Sequence, residues 1–172
     1  MVLSMENLVK RAKSGDKDAL LKLIIDKKAE FYRLAYLYAG NREDAMDAIS
    51  EMTVILYNKI YKLKDEDKFY CYAKTILVNA CREILRKRKN IVLTDYQDYQ
   101  ETYDNDGKES LMDVFMIMKT LSEDQQEAIK LKYLLDMDYQ TIAEICKVPV
   151  GTVKSRIFNG VRKIKEALGG DY

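Results

Sequence analysis

Ser155, Asn159 and Arg162 recur at steps of three and four, with Lys154, Arg156 and Lys163 beside them. On a helix they face away from Val150, Val153, Ile157, Val161 and Ile164. Amides and hydroxyls in that array can hydrogen-bond base edges in a DNA major groove, and the cations can reach phosphates. Thr152 and Phe158 complete this candidate contact set. An ordinary solvated helix would also show a buried stripe. Yet Ile145–Lys165 holds six basic residues and no acid, whereas solvated faces usually mix signs.

A second constellation runs from aromatic to cationic. Tyr61, Phe69, Tyr70 and Tyr72 precede Arg82, Arg86, Lys87, Arg88 and Lys89, with Lys62, Lys68, Lys74 and Asn79 between them. Aromatic rings offer stacking platforms to unpaired bases, and cations track the strand. Helical spacing assigns Phe69 and Tyr72 to a core and leaves Tyr61 and Tyr70 as the exposed rings. A third set, Asp44, Asp47 and Glu51, forms one stripe that the apolar Val54 continues. Charge with exposed apolar surface fits a protein interface, and a solvated acidic face fits it as well.

Other chemistry is disfavoured. The chain has no His, which removes His-based triads and the commonest zinc ligand. No Gly-rich phosphate loop or carboxylate pair stands in its place, so no catalytic residue, metal site or cofactor is expected. Cys71, Cys81 and Cys146 are an odd set without a C-x-x-C pair, as expected of a reducing cytoplasm. Met1–Arg11 lacks the apolar stretch of a secretory leader, and no apolar run is long enough to span a membrane. The net charge of +1 conceals a division: Met1–Lys89 carries +6, Asn90–Ser110 carries −5 and Leu111–Tyr172 carries 0.

The elements that must carry these residues are helical throughout. Apolar residues such as Ala45, Ala48, Met52, Leu56 and Ile60 follow 3–4 residue steps. The spacing predicts helices over 5–13, 17–39, 42–61, 68–89, 110–120, 123–134, 139–146 and 150–167. Asp16 reads as an N-cap and Ser122 with Gln125 as a capping box. Ile142, Ala143, Cys146, Val148 and Val153 suit a helix-turn-helix, with Pro149 at the start of its second helix. Residues 90–109 are acidic and break the periodicity, so they read as a linker between two small helical domains, 1–89 and 110–172. Fully extended, it would span roughly 65 Å.

GTVKSRIFNGVRKIKEAL, preceded by LSEDQQEAIKLKYLLDMDYQTIAEICKVPV, strongly resembles region 4 of bacterial sigma-70-family factors. NREDAMDAISEM is similar to regions 2.1–2.2 and FYCYAKTILVNACREILRKRK to regions 2.3–2.4. The short linker points to the extracytoplasmic function (ECF) subgroup. The resemblance covers about residues 20–166. It implies an all-α chain with a four-helix region 2-like domain and a region 4-like helix-turn-helix domain. Region 2 would bind core RNA polymerase at the β′ clamp helices through Asp44, Asp47, Glu51 and Val54. It would open the −10 promoter element with Tyr61, Lys62, Lys68, Tyr70, Lys74, Asn79, Arg82 and Arg86. Region 4 would read the −35 element with the recognition-helix set. The β flap, promoter DNA and an anti-sigma factor, commonly membrane-anchored, are the further partners implied.

Departures accompany the resemblance. Lys147 occupies a turn position where Gly is usual, Asn159 stands where Arg is frequent, Ser50 where Gln is, and Tyr72 where Trp is. The competing expectation is a stand-alone helix-turn-helix regulator with an N-terminal sensor or dimerisation domain, which would bind promoter duplex without polymerase.

Overall fold

The computed structural model describes residues 4–92 and 117–169, with side chains to residue 88 in the first span. The predicted helix over 110–120 therefore lies largely outside the described residues, as does most of the 90–109 linker. The chain divides into two compact units, Met1–Tyr96 and Gln97–Tyr172. All regular structure among the described residues is helical.

The first unit contains α1 (Met5–Lys13), α2 (Lys17–Asp26), α3 (Lys28–Ala39), α4 (Arg42–Lys59) and α5 (Phe69–Val92). Helices α3, α4 and α5 pack mutually, and α1 and α2 form a hairpin beside them. Phe31, Leu34, Met52, Leu56, Phe69 and Leu77 fill the core without measurable exposure. Cys81, 1% exposed, lies with them, and its thiol donates to the Ala35 carbonyl at 3.8 Å. Asp16 caps α2 by accepting from the Ala19 N–H at 3.0 Å. Gly40 closes α3 at φ 74°, a left-handed conformation that costs glycine little.

Two expectations change here. The helix predicted over 17–39 is two helices, which gives this unit five rather than four. The break falls at Lys27, with no Gly or Pro to announce it. In a continuous helix the Lys27 N–H would take the Leu23 carbonyl. Here it turns to Ile25, and the Tyr70 hydroxyl points at the Leu23 carbonyl (3.4 Å) and at Asp26 Oδ2 (3.2 Å). A side chain from α5 thus satisfies the group that the break releases. At the other end, α5 runs to Val92, so residues 90–92 are helix rather than linker.

The second unit contains α6 (Glu123–Ile129), continued by a π turn (Lys130–Leu134), then α7 (Tyr139–Cys146) and α8 (Val150–Ala167). The capping box forms as expected: the Gln125 N–H donates to Ser122 Oγ, and the Ser122 N–H donates back to Gln125 Oε1. Pro149 is the N-cap of α8, and Lys147 adopts φ 57° in the turn before it. Val153 and Ile157 are buried, while Val150, Val161 and Ile164 are half-buried. The residue that seats α8 most closely is Gly160. A Cβ there would lie 2.6 Å from Ile129 Cδ1.

Candidate nucleic-acid and polymerase interface

Helix α8 owes its exposed face to the stripe that holds it down. Val153, Ile157 and Gly160 are buried, which turns Lys154, Ser155, Arg162 and Lys163 to solvent. Asn159 is half-buried and donates its amide to Ser155 Oγ at 3.2 Å. Phe158 is 67% exposed, an apolar ring among these polar groups. Among the described residues, Arg162 pairs only loosely, with Glu166 at 3.8 Å. Thr152, Ser155 and Asn159 line an open groove of about 340 Å³ shared with Ser122 and Gln125 of the α6 cap.

Arg156 departs from its expected place among freely exposed contacts. Its guanidinium pairs with Asp124 at 2.5 Å, and its side chain is only 21% exposed. The pair ties α8 to the first turn of α6. Sequence reasoning also missed Tyr139 at the start of α7. Lys132 Nζ lies 5.0 Å from its ring centroid and Lys154 Nζ 5.5 Å, both within cation–π range. An aromatic at the first position of the first helix-turn-helix helix was the available signal. Gly160 was legible too, as a glycine inside an otherwise helical pattern.

In the first unit Tyr61, 62% exposed, follows α4 in a 3-10 turn (Ile60–Lys62). Lys62 Nζ sits 5.8 Å from its ring centroid. A second 3-10 turn (Glu66–Lys68) leads into α5. Lys62, Lys68 and Asn79 are exposed. Tyr70 is not the free ring that spacing suggested. It packs against Phe31 and Phe69, its hydroxyl is engaged at the α2–α3 break, and burial first, then Asp26, pushes its phenol up to about 12. Tyr72 is half-buried rather than core, and burial, with Tyr61 nearby, raises its phenol. The aromatic pair beside the loop is therefore Tyr61 with Tyr72.

The expected cations divide similarly. Lys74, its side chain 17% exposed, pairs with Glu30 at 3.3 Å instead of standing free. The half-buried Arg82 lies 5.8 Å from the Tyr38 ring centroid. Arg86 is exposed but forks onto Glu83 through two bonds of 2.7 and 3.1 Å. Of the expected cations, Lys62 and Lys68 thus remain exposed at the loop, and Lys64 between them is exposed as well.

On α4, Asp47 and Glu51 are exposed and Val54 is 59% exposed. Asp44 does not join them. It is 5% exposed, and its carboxylate accepts from Arg88 Nη1 and Asn41 Nδ2, each at 2.9 Å. Asn41 in turn accepts from the Asp44 N–H at 2.9 Å. The NRED run thus fastens the start of α4 to the end of α5, and Asp44 is part of that fastening. Met46 (47%) and Tyr57 (48%) extend the exposed apolar surface of α4.

Two helical units, one carrying an exposed loop ahead of a long helix and the other a helix-turn-helix, define a sigma-70 architecture. Family models agree: Sigma-70 region 2 matches residues 24–91 and Sigma-70, region 4 matches residues 111–164. The chain is 30% identical to an ECF RNA polymerase sigma-E factor of Haemophilus influenzae, over 96% of each chain. It is 28% identical to the ECF RNA polymerase sigma factor SigW of Bacillus subtilis, over 98% of each. Among solved structures, the sigma factor RpoE from Bartonella quintana, in complex with the anti-sigma factor NepR, superposes with a TM-score of 0.67 at 25% identity. That match covers 91% of this chain and 99% of the other. CnrH in complex with the cytosolic domain of CnrY shares the fold at TM-score 0.68 and 20% identity, covering 97% and 98%. The chain belongs to the ECF sigma factors of the sigma-70 family. It is a transcription initiation factor, not an enzyme and not a stand-alone regulator. Among the described residues no helix is long and apolar enough to cross a membrane.

Proposed function

We propose that the second unit reads the −35 element through α8, while the first unit binds core polymerase through α4 and opens the −10 element with the loop before α5. One observation carries the reading. The exposed face of α8 presents Lys154, Ser155, Arg162 and Lys163 together, backed by buried Val153, Ile157 and Gly160. A recognition helix needs that division of polar front and apolar back. Asn159 and Ser155 contribute base-edge contacts, and Phe158 offers apolar contact to a thymine methyl. In the first unit Tyr61 and Tyr72 stack on unpaired bases of the −10 strand, with Lys62 and Lys68 on its phosphates. Asp47, Glu51 and Val54 form the surface for the β′ clamp helices. Tyr133 and Leu134, 62% and 67% exposed on the π turn, offer the second unit an apolar surface for the β flap. Two solved relatives are complexes, one with an anti-sigma factor, and this supports an inhibitory protein of that kind as a further partner.

Domain roles follow from this division, with residues 1–89 for core and −10 binding and 110–172 for −35 binding. If the elements lie one and a half turns apart, the gap is roughly 50–55 Å. With residues 90–92 in α5, the remaining 93–109 stretch would reach roughly 56 Å if fully extended, which still covers that distance. Run-off transcription with purified core polymerase tests the reading. Transcripts from a cognate promoter are expected only when the chain is added, and equal transcription without it refutes the proposal.

A further inference from the structure

Helix α1 lies before the stretch matched by the region 2 family model, which begins at residue 24. It nevertheless packs against both 3-10 turns that bracket the exposed loop, Ile60–Lys62 and Glu66–Lys68. Leu8, Val9 and Ala12 of α1 are buried, as are Ile60 and Leu63. At its last residue, Lys13 Nζ bonds Glu66 Oε1 at 2.7 Å across 53 positions of sequence. The two side chains are 24% and 22% exposed, so this pair is better shielded than a surface bridge. The bond to Lys13 also holds the Glu66 carboxyl below the usual range.

We propose that α1 is a positioning element for the strand-opening loop, with Lys13 and Glu66 as its positioning residues. This rests on the loop's −10 role above. Short 3-10 turns have few internal bonds to hold them. A loop fixed before the strand arrives loses less freedom on binding. Lys13 and Glu66 touch no DNA in this scheme. They set where Tyr61, Lys62 and Lys68 stand.

The test uses the full chain with core polymerase and follows strand opening by permanganate reactivity over the −10 region. Lys13→Met and Glu66→Gln are each expected to slow opening about five-fold, with core affinity and −35 binding unchanged. The double variant should lose no more than either single one, because both remove the same bond. Lys13→Arg, which keeps the charge, should open promoters at the parent rate. Circular dichroism at the assay temperature checks that each variant is folded. Tyr61→Ala is the control for the loop itself. Slow opening by Tyr61→Ala with normal opening by Lys13→Met overturns the role of α1 alone. Normal opening by both refutes the loop reading and this inference together. Losses that add in the double variant, or that come with equal loss of core affinity, also overturn it.

Discussion

Tyr70 shows how one hydroxyl redirects a functional assignment. Its spacing placed it outside the core, and it does stand at a partly open position. The missing information was the break at Lys27, which frees the Leu23 carbonyl, 47 positions before Tyr70 in sequence. No local pattern reveals that pairing. Tyr70→Phe removes the donor while keeping the ring. The expected cost is about 1 kcal/mol of stability, read from a denaturant titration. The pH dependence has a defined sign. The folded phenol is raised to about 12, so its contribution is complete below the unfolded value near ~10 and is lost as pH rises through about 12. An alkaline absorbance titration should show a late-ionising phenol in the parent that Tyr70→Phe lacks, while the raised Tyr72 phenol persists in both. Lys147 is the opposite case. Its left-handed turn was legible because the resemblance fixed its position between two strongly periodic helices.

At the scale of elements, periodicity located most helices and the polar face of α8. It could not say which acidic or cationic residues would be consumed in fastening one helix to another. Asp44, Lys74 and Arg156 each carry the right charge at the right step, and each is paired across to another helix. Two functions of α4 can therefore be separated. Asp47→Arg with Glu51→Arg should abolish core association and leave the thermal midpoint near the parent's. Asp44→Ala should instead cost about 1–3 kcal/mol of stability, since Arg88 and Asn41 lose a shielded acceptor. Co-purification with core polymerase and thermal melts distinguish the two. The α6–α8 contact permits a similar test. Gly160→Ala gains about 1 kcal/mol in helix propensity but overpacks against Ile129, at about 1–3 kcal/mol. Net destabilisation is expected. Ile129→Val removes the Cδ1 that the new methyl would strike, so in that background Gly160→Ala should be neutral or stabilising.

For the whole molecule, a net charge of +1 would suggest indifference to a polyanion. The local distribution argues otherwise, because Lys154, Arg162 and Lys163 share one exposed face. Binding to a −35 duplex by the chain with core polymerase should weaken steeply with salt. Arg162→Ala and Lys163→Ala should each reduce the slope of log K against log salt by about 1. Asn159→Ala should leave the slope intact and cost ~1–3 kcal/mol at a single base position. Anisotropy titrations across salt and across a substituted −35 set read both effects. An unchanged preference with Asn159→Ala would remove that residue from base reading.

Cys81 has a consequence for chemical labelling. Its thiol is enclosed between α3 and α5, and burial pushes it up to about 11, so at neutral pH it is both shut away and protonated. Alkylation requires the thiolate and access to it. Cys71 and Cys146 are half-buried and should be modified first. Iodoacetamide uptake at Cys81 should therefore proceed only as fast as the first unit opens. Followed by mass spectrometry over hours, that single site would act as a clock for the unit's spontaneous unfolding. Addition of core polymerase should slow the clock, and an unaltered rate with saturating polymerase would mean that binding leaves this opening untouched.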